Sequence, residues 1–178
     1  METENPGSEI VARLGKITIR TARAADVPQM CGLLAGLFSI EKDFSPDVEK
    51  QAAGLMLLLL ESPASCLIVA ETSSLPSREA GPGNLHSPVV VGMCTVQKMV
   101  STAEGGYSGL LEDLVVSGPY RGRGIGTRLL SHALEWCENQ NISRVQLLAD
   151  KGNERALEFY AARGWSGTNL ICLRKNRV

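Results

Sequence analysis

Between Leu110 and Glu138 an apolar run, a turn rich in arginine and glycine, and an amphipathic segment follow one another without a break. Leu110, Leu111, Leu114, Val115 and Val116 read as a strand, interrupted by the acidic pair Glu112 and Asp113, and Ser117-Gly118-Pro119 stops it. After Tyr120 comes Arg121-Gly122-Arg123-Gly124-Ile125-Gly126-Thr127. Ile125, Leu129, Leu130, Ala133, Leu134 and Cys137 then recur at helical spacing, with Arg128, Ser131, His132, Glu135 and Glu138 on the opposite face. Glycines directly before a helix let backbone N–H groups converge on one point, because no Cβ keeps an anion away. The helix N-terminus adds about half a positive charge there, and arginines offer planar donors to phosphate oxygens. A pyrophosphate or comparable polyanion suits this geometry; the plainer alternative is a tight turn with solvated arginines.

Two familiar phosphate motifs fail on spacing. A P-loop needs Lys followed by Ser or Thr after its last glycine, and Thr127-Arg128 stands there. A dinucleotide fingerprint needs glycine three places after Gly124, where Thr127 stands. Gly106-Tyr107-Ser108-Gly109 misses the nucleophile-elbow spacing and precedes a strand.

Composition narrows the classes further. With 178 residues, 44% of them hydrophobic, and a net charge of -1, the pattern fits one globular domain over residues 16–178 behind a loose leader, 1–15. Near-neutral charge argues against a general nucleic-acid binder. Cys31, Cys66, Cys94, Cys137 and Cys172 form no C-x-x-C pair and read as small core residues in a reducing cytoplasm. Met1 to Ser8 lacks signal-peptide character, and the longest apolar run, Leu55 to Leu60, is too short for a membrane span of about 20 residues. Neither cysteine nor histidine spacing suggests a metal site, and His86 and His132 read as solvated.

The remaining elements follow from periodicity. Lys16 to Arg20 alternates as a first strand; Asp26 is placed to cap a helix striped by Val27, Met30, Cys31, Leu34, Leu37 and Phe38. Ser45-Pro46 reads as the start of a second helix, whose later leucines suit deep burial or a partner subunit, such as a homodimer. Cys66 to Ala70 is a buried strand, Thr72 to Pro88 a long loop, and Val89 to Lys98 a strand joined by hairpin to the central one. Arg144 to Ala149 is a further strand, Asn153 caps a short helix ending near Gly164, and Thr168 to Leu173 supplies a last strand.

Arg121, Gly124 and Gly126 spell an R-x-x-G-x-G signature that resembles the coenzyme A pyrophosphate loop of the GNAT superfamily of N-acyltransferases. Asn153 and the run Phe159 to Trp165 are similar to that family's ending, and the element order from Ile17 to Leu173 fits it. The resemblance implies an α/β (α+β) GNAT-like fold with a mixed, mostly antiparallel central sheet, splayed in the middle and flanked by helices. It also implies acetyl-CoA as cosubstrate, with Leu114, Val115 and Val116 along the pantetheine arm and Arg121, Gly122, Arg123, Gly124, Ile125, Gly126 and Thr127 at the pyrophosphate. Asn153 would then lie near the thioester and Tyr160 beside the sulfur.

The chemistry so implied is attack of a neutral amine on an acyl thioester, which needs a base for the ammonium and an acid for the thiolate. Glu112 is the leading base, with Asp113 in reserve because a bulge in the strand would change which side chain faces the cleft. Tyr160 is the acid candidate, and the N–H of Val115 or Val116 a one-donor oxyanion hole. The connection between the first two helices borders the acceptor site in GNAT-like proteins. Its Glu41, Asp43 and Phe44, with Asp113, would line that site and favour a small cationic primary amine. The Leu110–Asp113 and Tyr120–Gly122 segments also resemble diamine acetyltransferases of the family. Alternatives are acetylation of a peptide N-terminus or protein lysine, and a non-catalytic CoA-binding module.

Overall fold

The computed structural model describes residues 16–41, 43–61, 63–73 and 88–175. The 1–15 leader, His86 and nearly all of the long loop lie outside them. Contacts divide the chain into two compact units, Met1–Gln146 and Leu147–Val178.

The first unit is a sheet covered on both faces. Strands β1 (Ile17–Thr21), β2 (Ser65–Thr72), β3 (Val89–Ser101) and β4 (Gly106–Val116) form an antiparallel meander, and β5 (Ile142–Leu147) follows β4 in the sheet order. Helices α1 (Val27–Phe38) and α2 (Val48–Leu60) precede β2, and α3 (Ile125–Asn139) connects β4 to β5. Strand side chains alternate between faces. Leu67, Val69, Met93 and Val115 accordingly join Met30, Cys31, Leu34 and Leu55 in one core under α1 and α2. Leu129, Leu130, Ala133 and Cys137 bury the apolar stripe of α3, which packs on β1 through β4. Burying each such leucine fully is worth about 1.5–3 kcal/mol. Gly92 allows that closeness: a Cβ there would lie 3.0 Å from the Val115 carbonyl oxygen and 3.1 Å from Leu129 Cδ1. Ile142 and Val145 lean on Gly109, and the Ser143 hydroxyl reaches the Tyr107 carbonyl, so β5 engages the first half of β4.

Local chemistry moves several expected boundaries. Asp26 ends a 3-10 turn, Ala24–Asp26, directly before α1; its carboxylate accepts the Arg23 N–H (2.7 Å) and pairs with Arg20 (2.7 Å), leaving no side-chain cap on α1. Asp47, not Ser45, caps α2, accepting the Lys50 N–H at 3.1 Å. On α2, Leu55 enters the core whereas Leu57 and Leu60 are 61% and 74% exposed. Cys31, Cys66, Cys94 and Cys137 are buried free thiols; burial pushes Cys66 up to about 12 and Cys137 up to about 11, so they behave as small apolar residues. Cys172 is exposed, contrary to its expected place in a core.

The second unit contains α4 (Glu154–Ala161). Asn153 caps it as expected, its Oδ1 accepting the Ala156 N–H at 3.1 Å. Tyr160 packs edge-on to Phe159 (centroids 5.2 Å apart) and against Trp165 (5.5 Å). Thr168 to Leu173 is not a strand, and Leu170, Ile171 and Leu173 are exposed. A strand needs a neighbour for its N–H and C=O groups, and no strand lies wholly within this unit among the described residues.

Candidate functional site

The decisive irregularity lies in the middle of β4. Cys94 pairs with Leu114 but Val96 pairs with Leu111, so Thr95 alone stands opposite both Glu112 and Asp113. This is a β-bulge, and it undoes the alternation that would send the two carboxylates to opposite faces. Thr95, fully buried, accepts the Asp113 N–H at 3.1 Å and donates its hydroxyl to Asp113 Oδ2 at 3.2 Å. Two residues along β3 on the same face, Gln97 Nε2 donates to Glu112 Oε2 at 2.6 Å. Met93, two residues before Thr95, and Val115, two after Asp113, both belong to the core under α1 and α2. Both carboxylates are therefore held on that side of the sheet, Asp113 partly buried and Glu112 exposed.

Charge gathers there. Burial pushes the Asp113 carboxyl up to about 6, with repulsion from Glu112 and Glu41 adding to it and the Thr95 hydroxyl pulling it back. Glu41, just past α1, is thus close enough for its charge to be felt at Asp113. Phe44 is 48% exposed and lies against Phe38 with ring centroids 5.4 Å apart; Asp43 is exposed.

At the far end of β4 the turn takes the shape its glycines permit. Gly122 and Gly124 have φ of 75° and 74°, a left-handed backbone that L side chains rarely adopt, and Gly124 is the N-cap of α3. Arg121 Nε donates to the Val116 carbonyl at 2.8 Å, and the Arg123 guanidinium lies 5.9 Å from the Tyr120 ring centroid. Ile125 is buried and anchors the first turn. Arg128 N–H donates to the Gly124 carbonyl. Among the described residues the N–H groups of Gly122, Arg123, Gly124, Ile125 and Gly126 have no backbone acceptor. With Thr127 they form the head of a fifteen-residue helix, a setting suited to an anion. The Ser117 N–H donates to the Val91 carbonyl, so by strand alternation Val115 also faces β3 while Leu114 and Val116 turn their backbone groups to the other edge.

In the first unit, then, Glu112, Asp113 and Glu41 are brought together, and residues 114–116 run directly into the 121–127 turn. Asn153 and Tyr160 share one face of the second unit's helix by their spacing. Sequence reasoning missed Thr95 and Gln97; their only signal was polarity at alternate positions of a mostly apolar strand. His132 is exposed, with Nδ1 2.9 Å from the Arg128 carbonyl. A shallow cavity lined by Arg20, Cys66, His132 and Trp136 lies on the α3 side and takes in none of the candidate residues. Among the described residues no cluster of His, Cys, Asp and Glu is placed to hold a metal ion, and no helix is long and apolar enough to cross a membrane.

Comparison with known proteins follows the same outline. The acetyltransferase (GNAT) family model matches residues 37–165. Thialysine N-epsilon-acetyltransferase of Bos taurus is 30% identical over 149 residues, 83% of each chain. The crystal structure of a possible acetyltransferase from Clostridium difficile 630 superposes with a TM-score of 0.73 at 19% identity, covering 91% of this chain and 98% of that one. Aminoglycoside N-acetyltransferase AAC(6')-Iy, in complex with CoA, superposes with a TM-score of 0.70 at 15% identity, covering 92% and 96%. Those two likenesses concern the fold, an α/β architecture with a mixed five-stranded sheet between helices, as the sequence resemblance implied.

Proposed function

Because the chain belongs to the acetyltransferase (GNAT) family, we propose that it transfers the acetyl group of acetyl-CoA to a small primary amine that carries positive charge. The observation that carries this reading is the bulge: it gathers Glu112 and Asp113 on one face, with the charge of Glu41 felt beside them. Three carboxylates near one another favour a cation. The Bos taurus relative's name, with its N-epsilon amine, is consistent with such an acceptor.

Acetyl-CoA would supply the activated acyl thioester. The turn from Arg121 to Thr127 would hold its pyrophosphate, as the acceptor-less N–H groups at the helix head support. Leu114 to Val116 would hold the pantetheine arm, and the outward-turned N–H of Val116, rather than that of Val115, would polarise the thioester carbonyl. An alkyl ammonium with a pKa of about 10 must lose a proton before it can attack. Of the two candidate carboxylates, we favour Asp113 over Glu112 as the base. Its carboxyl, raised to about 6, binds a proton more readily than an ordinary carboxylate and is still ionised at neutral pH. Glu112 and Glu41 would hold the substrate's charge, with Asp43 and Phe44 on the same connection as further candidates. Tyr160 remains the proposed acid and Asn153 a coenzyme contact.

The test is free-thiol release from acetyl-CoA across a panel of amines at matched concentration: thialysine, lysine, a polyamine, and a neutral amine of similar length. Preference for the cationic members by tenfold or more supports the reading. Equal turnover of neutral and cationic amines would overturn the acceptor class, and binding of CoA without turnover of any amine, peptide or protein lysine would leave a non-catalytic CoA-binding module.

A further inference from the structure

We propose that Thr95 is the positioning residue for Asp113, its single hydroxyl locking the bulge of β4 and fixing the carboxylate on the α1 and α2 side of the sheet. The inference rests on the reading of Asp113 as the base. The hydroxyl acts in both directions, accepting the Asp113 N–H at 3.1 Å and donating to Asp113 Oδ2 at 3.2 Å. The first bond satisfies the extra backbone donor that a bulge leaves unpaired. The second orients the side chain. Because Thr95 is fully buried, water cannot replace it in either role.

Valine has the same shape without the hydroxyl, so Thr95→Val removes both bonds while keeping the packing volume. The charged groups facing Asp113 are Glu112 on its own strand and Glu41 beyond α1, both of which raise its carboxyl pKa. Thr95 donates to the ionised form and is the opposing influence. Loss of the hydroxyl therefore raises the Asp113 titration midpoint. The expected shift is about one pH unit, equivalent to tenfold in proton affinity.

The experiment titrates Asp113 by 13C NMR of the carboxyl carbon in wild type, Thr95→Val and Thr95→Ser, assigned against Asp113→Asn, with the pH profile of kcat/KM recorded in parallel. The expected result is an upward shift in Thr95→Val, a matching move of the acidic limb, and return of both to within about 0.3 unit in Thr95→Ser. If Thr95→Val does not yield folded protein, Thr95→Ala is titrated in its place. An unshifted midpoint in a folded variant overturns the inference, as does a loss of thermal stability alone. Retained turnover in Asp113→Asn would instead overturn the reading of Asp113 as base, and the NMR midpoint would still decide whether Thr95 controls that carboxyl.

Discussion

Arg121 turns its guanidinium back onto the carbonyl of Val116, Nε to oxygen 2.8 Å, and so ties the glycine turn to the end of β4. One side chain thereby joins the segment proposed for the pantetheine arm to the one proposed for the pyrophosphate. Its Nε is committed to protein, leaving the terminal nitrogens for phosphate oxygens. Arg121→Ala should weaken desulfo-CoA binding by tenfold or more in calorimetry, the scale of a charge-assisted hydrogen bond of about 1.5–3 kcal/mol. Arg121→Lys should recover only part, because an ammonium keeps the charge but not the planar fork that serves both partners. Full recovery by lysine would show that charge alone matters.

Asp113 is expected to trade stability for activity. Its carboxyl is raised from 3.8 to about 6 in the folded protein, so between those values the folded state holds more protons than the unfolded state. Stability from this group is fully present below about pH 4 and lost as pH rises through 6. The shift corresponds to about 2–3 kcal/mol at neutral pH. Asp113→Asn should therefore raise Tm at pH 7.5 while lowering kcat by about 10²- to 10⁴-fold, the usual worth of a positioned base. A variant that is both inactive and less stable would mean that the carboxylate holds structure.

Tyr160→Phe separates packing from chemistry. The ring lies between Phe159 and Trp165, and phenylalanine keeps those contacts. Desulfo-CoA affinity should stay within error while kcat falls at least tenfold, if the hydroxyl is the acid that meets the departing thiolate. Unchanged turnover across the pH range would remove Tyr160 from the mechanism.

What the sequence made legible was whatever residue type alone encodes. Gly122 and Gly124 adopt the left-handed backbone that only glycine takes readily, and α3 follows its spacing from Ile125 to Asn139. The bulge was anticipated without being located, because apolar alternation on either side of Glu112-Asp113 suits several registers. What fixes it is Thr95, eighteen residues from Asp113 and visible as its partner only once β3 and β4 pair. Ser45 lost the α2 cap to Asp47 because both residue types cap well and only geometry decides. Thr168 to Leu173 has strand-like composition, but composition does not supply a neighbouring strand.

Asp26 provides the opposite pH signature. Its carboxylate takes the Arg20 guanidinium through both oxygens, at 2.7 and 2.9 Å, and accepts the Arg23 N–H, while Arg20 also pairs with Glu71 at 2.6 Å. The Arg20 bonds hold its carboxyl below the ordinary 3.8, against the cost of burial. A depressed carboxyl contributes stability above its unfolded value and loses it as pH falls through the folded one. This contribution therefore fades at the acid end, where that of Asp113 is greatest. Asp26→Ala leaves Arg20 with Glu71 and the Thr21 carbonyl, and the Arg23 N–H without its carboxylate acceptor, so it should cost about 2–4 kcal/mol at pH 7. The loss should shrink as pH falls below the ordinary 3.8, where the unfolded chain takes up its proton before the folded one does. Thermal unfolding of both proteins between pH 3 and 8 checks this: converging melting temperatures at low pH are expected, and a constant offset would assign the effect to packing.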